Sequence, residues 1–333
     1  MRTLLFASAA SAALALSSTA LADDSSAMLG AGGIVLTRSA DIRMATEDLY
    51  ISPKAVRVRY TFTNDSGKDI DTIVAFPLPD VDNWEYAESP IGTTSGSTPN
   101  FVGFKLTVDG KPVTATAEER AVYKGKDVTA QVLAAGAPLN VVIGGYDKLE
   151  KLSSANHDAL LRAGLIEGKG GDDPVHAKWT TQTKFWWKMH FPAGRTVTVE
   201  HSYTPVTGQT FFGTFAFTDK EQNAYYARFC IDAATRSAIE ARLAALKKKT
   251  GSDGLLNQYT TDFVIVTANN WKGPIGKFHM TVDKLKPGNI VSLCWGPDLG
   301  KTGPTTFEAT RTNFAPRQDI QILVLENPST DQQ

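Results

Sequence analysis

Residues 56–63 alternate strictly, and this constrains the chain more than any other feature. Val56, Val58, Tyr60 and Phe62 fall on one side of an extended segment, and Arg57, Arg59, Thr61 and Thr63 on the other. Successive side chains of a strand point to opposite faces, so the pattern specifies an antiparallel strand with one dry and one wet side. Asn64-Asp65-Ser66-Gly67 supplies a turn, residues 70–76 read as the next strand, and Pro77-Leu78-Pro79 ends it because proline cannot donate to a ladder.

The same reading extends along the chain. Residues 87–99 form a Ser/Thr/Gly/Pro-rich loop, and strands at 101–108 and 112–117 meet across Asp109-Gly110, a hairpin signal. A helical insertion is expected at about 145–176, marked by Leu149, Leu152, Leu160 and Leu161. Residues 184–191 and 197–203 read as a hairpin turning at Pro192-Ala193-Gly194, with His190 and His201 on its two arms. Residues 232–250 form the clearest helix: Asp232 caps it, Ile239, Leu243 and Leu246 line one side, and Gly251 follows the last turn. Further strands are expected at 263–267, 276–282, 290–294 and 320–325. The fold class is therefore mainly β: an antiparallel β-sandwich with two helical insertions and a possible second β-rich lobe. The expected division is a signal segment 1–22, a sandwich 23–216 and a β-rich region 217–333.

The first 22 residues set the compartment. Arg2, an alanine-rich apolar run from Leu4 to Leu16, and Ala20-Leu21-Ala22 form a secretory signal cut after Ala22. The expectation is a periplasmic or secreted protein with no integral membrane segment after cleavage. Formal net charge is −1 and the basic residues are scattered, which gives nucleic-acid binding little support. In an oxidising compartment Cys230 and Cys294, the two cysteines of the chain, are expected to form a disulfide.

Catalytic signatures are missing. There is no Gly-x-Ser-x-Gly, no His-Glu-x-x-His and no phosphate-binding loop. Asp80-Val81-Asp82-Asn83 begins like a calcium loop, but Glu85 stands where a tight turn needs glycine. The five histidines lack zinc spacing, and no metal or cofactor is expected. Among six tryptophans, Trp271 stands out because it lies in the turn Asn-Asn-Trp-Lys-Gly-Pro. An exposed ring beside polar donors suits a sugar or a protein partner. Trp271, Lys272, Asn270 and Trp84 are therefore the candidate ligand- or partner-binding residues; the alternative is a ring folded back over the core.

Two resemblances follow from these motifs. Phe76-Pro77-Leu78-Pro79, Asp283-Lys284 and Asn269-Asn270-Trp271-Lys272-Gly273-Pro274-Ile275-Gly276 resemble an uncharacterised family of exported bacterial proteins, known as a domain of unknown function. Locally, Phe-Pro-Leu-Pro at 76–79, Val108-Asp109-Gly110-Lys111 and Phe191-Pro192-Ala193-Gly194 resemble the vault inter-α-trypsin domain. That second likeness implies an extracytoplasmic sandwich used in protein assemblies, without its metal motif. The leading expectation is a non-enzymatic envelope protein that docks an unidentified envelope protein. The alternatives are a glycan- or small-ligand-binding protein and a periplasmic hydrolase of unrecognised type.

Overall fold

The computed structural model describes residues 25–30, 33–84, 91–92, 99–213, 218–251 and 254–328. The signal segment lies outside them, as does most of the 87–99 loop; Ile91–Gly92 within that loop is a short strand.

The chain is mainly β, as its alternation predicts. An eight-stranded sheet runs Gly300–Lys301, Thr306–Phe314, Ile275–Asp283, Ile42–Ser52, Ala55–Asn64, Thr196–Tyr203, Lys105–Val108, Lys111–Val113. The centre of a seven-stranded sheet is Thr116–Tyr123, Thr180–Phe191 and Ile70–Pro77, extended by Ser25–Gly30. A five-stranded sheet is built on Thr207–Phe212, Leu256–Phe263 and Ile320–Glu326. The dry faces of all three contribute to one core. Phe62 meets Phe191 at 6.0 Å between ring centroids, Phe104 stacks on Phe185 at 4.4 Å, and Phe76 reaches Phe263 at 6.3 Å. Such face-to-face packing is the sandwich arrangement.

Hydrogen bonds cross the expected boundary at 216/217. Ile42–Ser52 pairs in parallel with Ile275–Asp283, Asp48 opposite His279 and Leu49 opposite Met280. The N-terminal and C-terminal β regions thus share a sheet.

The predicted hairpin of 184–191 with 197–203 does not form. Thr180–Phe191 pairs with Ile70–Pro77 and Thr116–Tyr123, whereas Thr196–Tyr203 pairs with Ala55–Asn64 and Lys105–Val108. Pro192-Ala193-Gly194 is an arch from one sheet to the other. Both strands point their apolar faces into the core, an outcome that pairing across the sandwich satisfies as well as pairing side by side. His190 therefore lies outside, bonded to Asp71 at 2.8 Å, while His201 lies inside.

Asn64 holds this arch. It is fully buried; its Nδ2 donates to the carbonyls of Lys68 (2.9 Å) and Phe191 (2.8 Å), and its Oδ1 accepts from Ser66 N (2.9 Å). It therefore ties the 64–70 crossing to the 191–196 crossing. Asn64→Leu, which strands these backbone groups, is expected to cost about 1–3 kcal/mol. Urea unfolding checks it, and an unchanged midpoint would remove Asn64 from this role.

Other boundaries moved as well. The expected strand at 263–267 ends at Phe263, because the Asp319 Oδ1 accepts from the backbone N–H groups of Ile265 (3.1 Å) and Val266 (3.3 Å) and turns the chain. The Asp109-Gly110 hairpin is present, both residues having the positive φ its turn demands (48° and 74°). The expected strand at 112–117 splits: Lys111–Val113 stays in that hairpin and Thr116–Tyr123 joins the opposite sheet.

Helix Ala233–Thr250 matches its signals, with Asp232 Oδ1 accepting from Thr235 N at 2.7 Å and Gly251 left-handed at the end. A second helix, Asp219–Arg228, was not anticipated, although Thr218-x-x-Glu221 is a capping box legible in the sequence. The insertion holds helices Tyr146–Glu150 and Ser154–Arg162 around a separate core containing Val132, Leu149, Leu160 and Trp179. No helix among the described residues is long and apolar enough to cross a membrane.

Candidate functional site

The turn at 269–274 is a clasp. Trp271 is only 3% exposed, and its ring lies 4.7 Å from Phe62 and 6.2 Å from Phe191. The expectation of an exposed Trp271 platform is therefore corrected. The 3₁₀ turn Val266–Asn270 ends just before it and lowers the indole over the open end of the core, where its apolar area is removed from water. Its polar neighbours face other parts of the chain. Asn270 Nδ2 donates to Ser25 Oγ at 3.0 Å, Lys272 N donates to the Ile42 carbonyl at 2.8 Å, and Lys272 Nζ pairs with Asp65 at 3.2 Å. Hydrogen bonds from Arg43 and Lys272 hold the Asp65 carboxyl below the ordinary carboxylate range.

Trp84 is elsewhere and is half exposed. Its ring lies 5.2 Å from the His176 ring, and Lys178 Nζ is 5.9 Å from its centroid while pairing with Glu167 at 2.6 Å. Glu167 and His176 belong to the insertion and Lys178 directly follows it, so Trp84 and Trp271 occupy different surroundings and do not build one platform. The Asp80–Asn83 segment has a structural use. Asn83 donates to the Trp179 carbonyl and to Thr181 Oγ1 (2.9 and 2.8 Å) and accepts from Val141 N (3.0 Å), tying the segment that enters the insertion to the strand that leaves it.

Cys230 and Cys294 are joined, as expected. Cys230 follows helix Asp219–Arg228, and Cys294 follows strand Ile290–Leu293. The bridge forms part of the wall of a cleft of about 790 Å³ and of a neighbouring one of about 660 Å³. Both are also lined by Arg317, Gln318 and Asp319. These volumes are those of small-molecule sites, typically about 300–1,000 Å³.

One end of the cleft is aromatic. Trp295 and Phe314 lie 5.8 Å apart, and the Arg311 guanidinium sits 4.0 Å from the Trp295 centroid. Arg311 is held there by Asp298 through two bonds of 2.8 Å, from Nε and Nη2. Those bonds hold the Asp298 carboxyl below its ordinary range and raise the guanidinium. A side chain at Gly296 would strike both partners, at 2.6 Å from Asp298 and 2.9 Å from Arg311, so glycine is what lets this pair close.

The other end is polar. Arg317 is exposed and pairs with no carboxylate among the described residues. Burial pushes the Asp319 carboxyl up, against the two backbone N–H groups that favour its ionised form. Gln318 Nε2 reaches the Cys294 carbonyl at 3.4 Å, and Arg228 faces Asp262 at 3.8 Å. Apart from the cysteines, none of these residues was singled out from sequence. They come from segments around 228, 295, 311 and 318, and only Trp295 carried a signal, as one of six tryptophans.

The described histidines do not enter the cleft. His201 is buried among Tyr60, Phe76 and Phe104, at 5.4, 4.4 and 5.2 Å between centroids, and His279 bonds to Asp48 on the wet face of the long sheet.

Fold and cleft together define a β-sandwich protein with a disulfide-bordered surface site. The chain belongs to the DUF4424 family, a domain of unknown function, whose model matches residues 22–323. A search of curated proteins finds no match. Among solved structures the chain is similar to a Legionella pneumophila protein provisionally named as nutrient binding, at a TM-score of 0.43 and 14% identity, over 91% of this chain and 72% of that one.

Proposed function

We propose that this protein is exported and binds a small ligand in the cleft beside Cys230–Cys294, without catalysing its conversion. The observation that carries the reading is the cleft itself: about 790 Å³, lined by the aromatic rings of Trp295 and Phe314 and by the polar side chains of Arg317, Gln318 and Asp319. Pockets that combine apolar walls with a few placed polar groups are the usual form of ligand sites. Export is supported by the signal-like residues 1–22 and by a disulfide, which persists in oxidising compartments.

Docking of an envelope protein is the second reading. Phe211, 65% exposed, and Leu255 favour it: they flank the buried pair Phe212 and Leu256 and so share a face. Against edge-strand docking, the eight-stranded sheet ends in strands of two and three residues, the short edges that proteins use to blunt strand pairing.

Native mass spectrometry of the protein taken from the envelope fraction tests the first reading. The expected spectrum carries an added small mass that disappears in Gln318→Trp, where an indole fills the cleft. Crosslinking in intact cells serves the second: a reproducible protein partner lost in Phe211→Ser, with no small mass bound, would replace the ligand reading.

A further inference from the structure

The wet face of the eight-stranded sheet carries a row of polar residues apart from the cleft. Tyr50, Arg57, Ser202 and Lys105 stand side by side on four adjacent strands: Arg57 is opposite both Tyr50 and Ser202, and Ser202 is opposite Lys105. Their neighbours in sequence, Leu49, Val56, Val58, His201 and Leu106, are buried, so strand alternation turns all four of the row outward. A hollow of about 460 Å³ is lined by this row.

The carboxylates around the row are already engaged. Asp48 is bonded to His279 at 2.8 Å. Glu200 takes Arg59 on Oε1 at 3.1 Å and the Thr107 hydroxyl on Oε2 at 3.3 Å. Asp283 accepts from the Tyr50 hydroxyl through Oδ2 and from Leu285 N through Oδ1, both at 2.8 Å. Burial would raise the Asp283 carboxyl, but hydrogen bonds from Leu285, Tyr50 and Thr305 and the Arg57 charge hold it below its ordinary range.

The donors of the row are not engaged. The Arg57 guanidinium lies 3.7 Å from the Tyr50 ring centroid and makes no hydrogen bond or ion pair among the described residues. Stacking occupies the face of a guanidinium and leaves its N–H edge free. Lys105 is exposed and pairs with no carboxylate among the described residues, and the Ser202 hydroxyl between the two cations has no hydrogen-bond partner there. Adjacent strands are about 4.8 Å apart, so Arg57 and Lys105 start about 10 Å apart and their long side chains can close on a group between them. A cationic ligand would find the carboxylates taken, and an apolar one would strip water from two charges without replacing it. A tetrahedral dianion gives each cation a partner and offers an oxygen to each of the three donors. We propose that this row binds a phosphate group, with Arg57 as the fork, Lys105 as the second charge and Ser202 as the hydroxyl donor.

Calorimetric titration of the full mature protein at low ionic strength with inorganic phosphate, glycerol 3-phosphate and acetate tests this. At least one of the two phosphates is expected to bind, and binding of the ester alone would identify a phosphate ester, not the free ion, as the source. Acetate, planar and singly charged, is expected to bind at least tenfold more weakly. Arg57→Ala is expected to weaken phosphate binding roughly tenfold or more, the loss of hydrogen bonds from a charged donor. Arg57→Lys, which keeps the charge and loses the fork, and Ser202→Ala are expected to weaken it less, and added salt is expected to weaken it throughout. Lys126→Ala, on the short edge strand Lys126–Asp127 of the seven-stranded sheet, is expected to change nothing. Thermal melts of each variant check that the fold is intact. Acetate binding as tightly as phosphate, and lost in Arg57→Ala, overturns the phosphate class. Phosphate binding unaffected by Arg57→Ala places the ion elsewhere and overturns the site, and silence from both phosphates overturns the proposal. Each of these outcomes leaves the ligand reading of the cleft as it stands, because no residue of the row lines it.

Discussion

Trp271→Ala is expected to destabilise the protein by about 3–5 kcal/mol, the cost of emptying a buried aromatic site. The indole closes one end of the core on Phe62 and Phe191, and those two rings belong to opposite sheets. Its removal therefore leaves a cavity at the junction of the sheets, where collapse would require them to move together. At about 2–4 °C per kcal/mol for a large domain, the melt should fall by on the order of 10 °C. Trp271→Phe, which retains most of the apolar volume, should lose much less. A ligand-contact role predicts the reverse, an unchanged melt with altered binding, and that result would return Trp271 to the surface.

Cys230→Ser with Cys294→Ser should also cost several kcal/mol. Joining residues 64 apart removes loop entropy from the unfolded chain equivalent to about 4 kcal/mol. The bridge also has a local task. It pins the end of helix Asp219–Arg228 against the loop that carries Trp295, and Phe229 beside it packs with Ile239 and Leu323 in a small separate core. The double serine variant should therefore melt lower, and hydrogen exchange should rise first in residues 219–231. A melt that is the same with and without dithiothreitol, with reduction confirmed by mass, would show that the link constrains little.

Both effects bear on the cleft in different ways. The disulfide forms part of its wall, so its loss should weaken the proposed ligand binding as well as stability. Trp271 is in the sandwich core, so its loss should act through global unfolding. Comparing binding at a temperature where both variants remain folded separates the two.

Local patterns in the sequence were legible where one short segment carried the whole signal. Val56 to Phe62 alternated and became a strand; Asp109-Gly110 became a hairpin turn; Asp232 and Gly251 bounded a helix. The cysteine pair was legible because two cysteines admit a single pairing. The capping box at Thr218 and Glu221 was equally local and went unread. The failures share a cause. Pro192-Ala193-Gly194 fits a hairpin and an inter-sheet arch equally well, since alternation says which side chains go inward and nothing about which strand lies alongside. The turn around Trp271 was ambiguous in the same manner. Its residues suit an exposed loop, and only the distant Phe62, Phe191, Ser25 and Asp65 decide that it closes on the core.

The amino-acid sequence alone thus determined the strand-rich class, the inward-facing residues, the disulfide and the family. These rest on side-chain periodicity, backbone preferences and motifs that act over a few residues. Tertiary structure decided the rest: the parallel pairing of Ile42–Ser52 with Ile275–Asp283, the arch at 192–194, the burial of Trp271 and the cleft. Each depends on segments far apart in the chain meeting in space. Trp295, Arg311 and Asp319 line one cleft, and Arg228 and Asp319 the cleft beside it, because the pairing of Leu256–Phe263 with Ile320–Glu326 and the Cys230–Cys294 bridge bring their segments together.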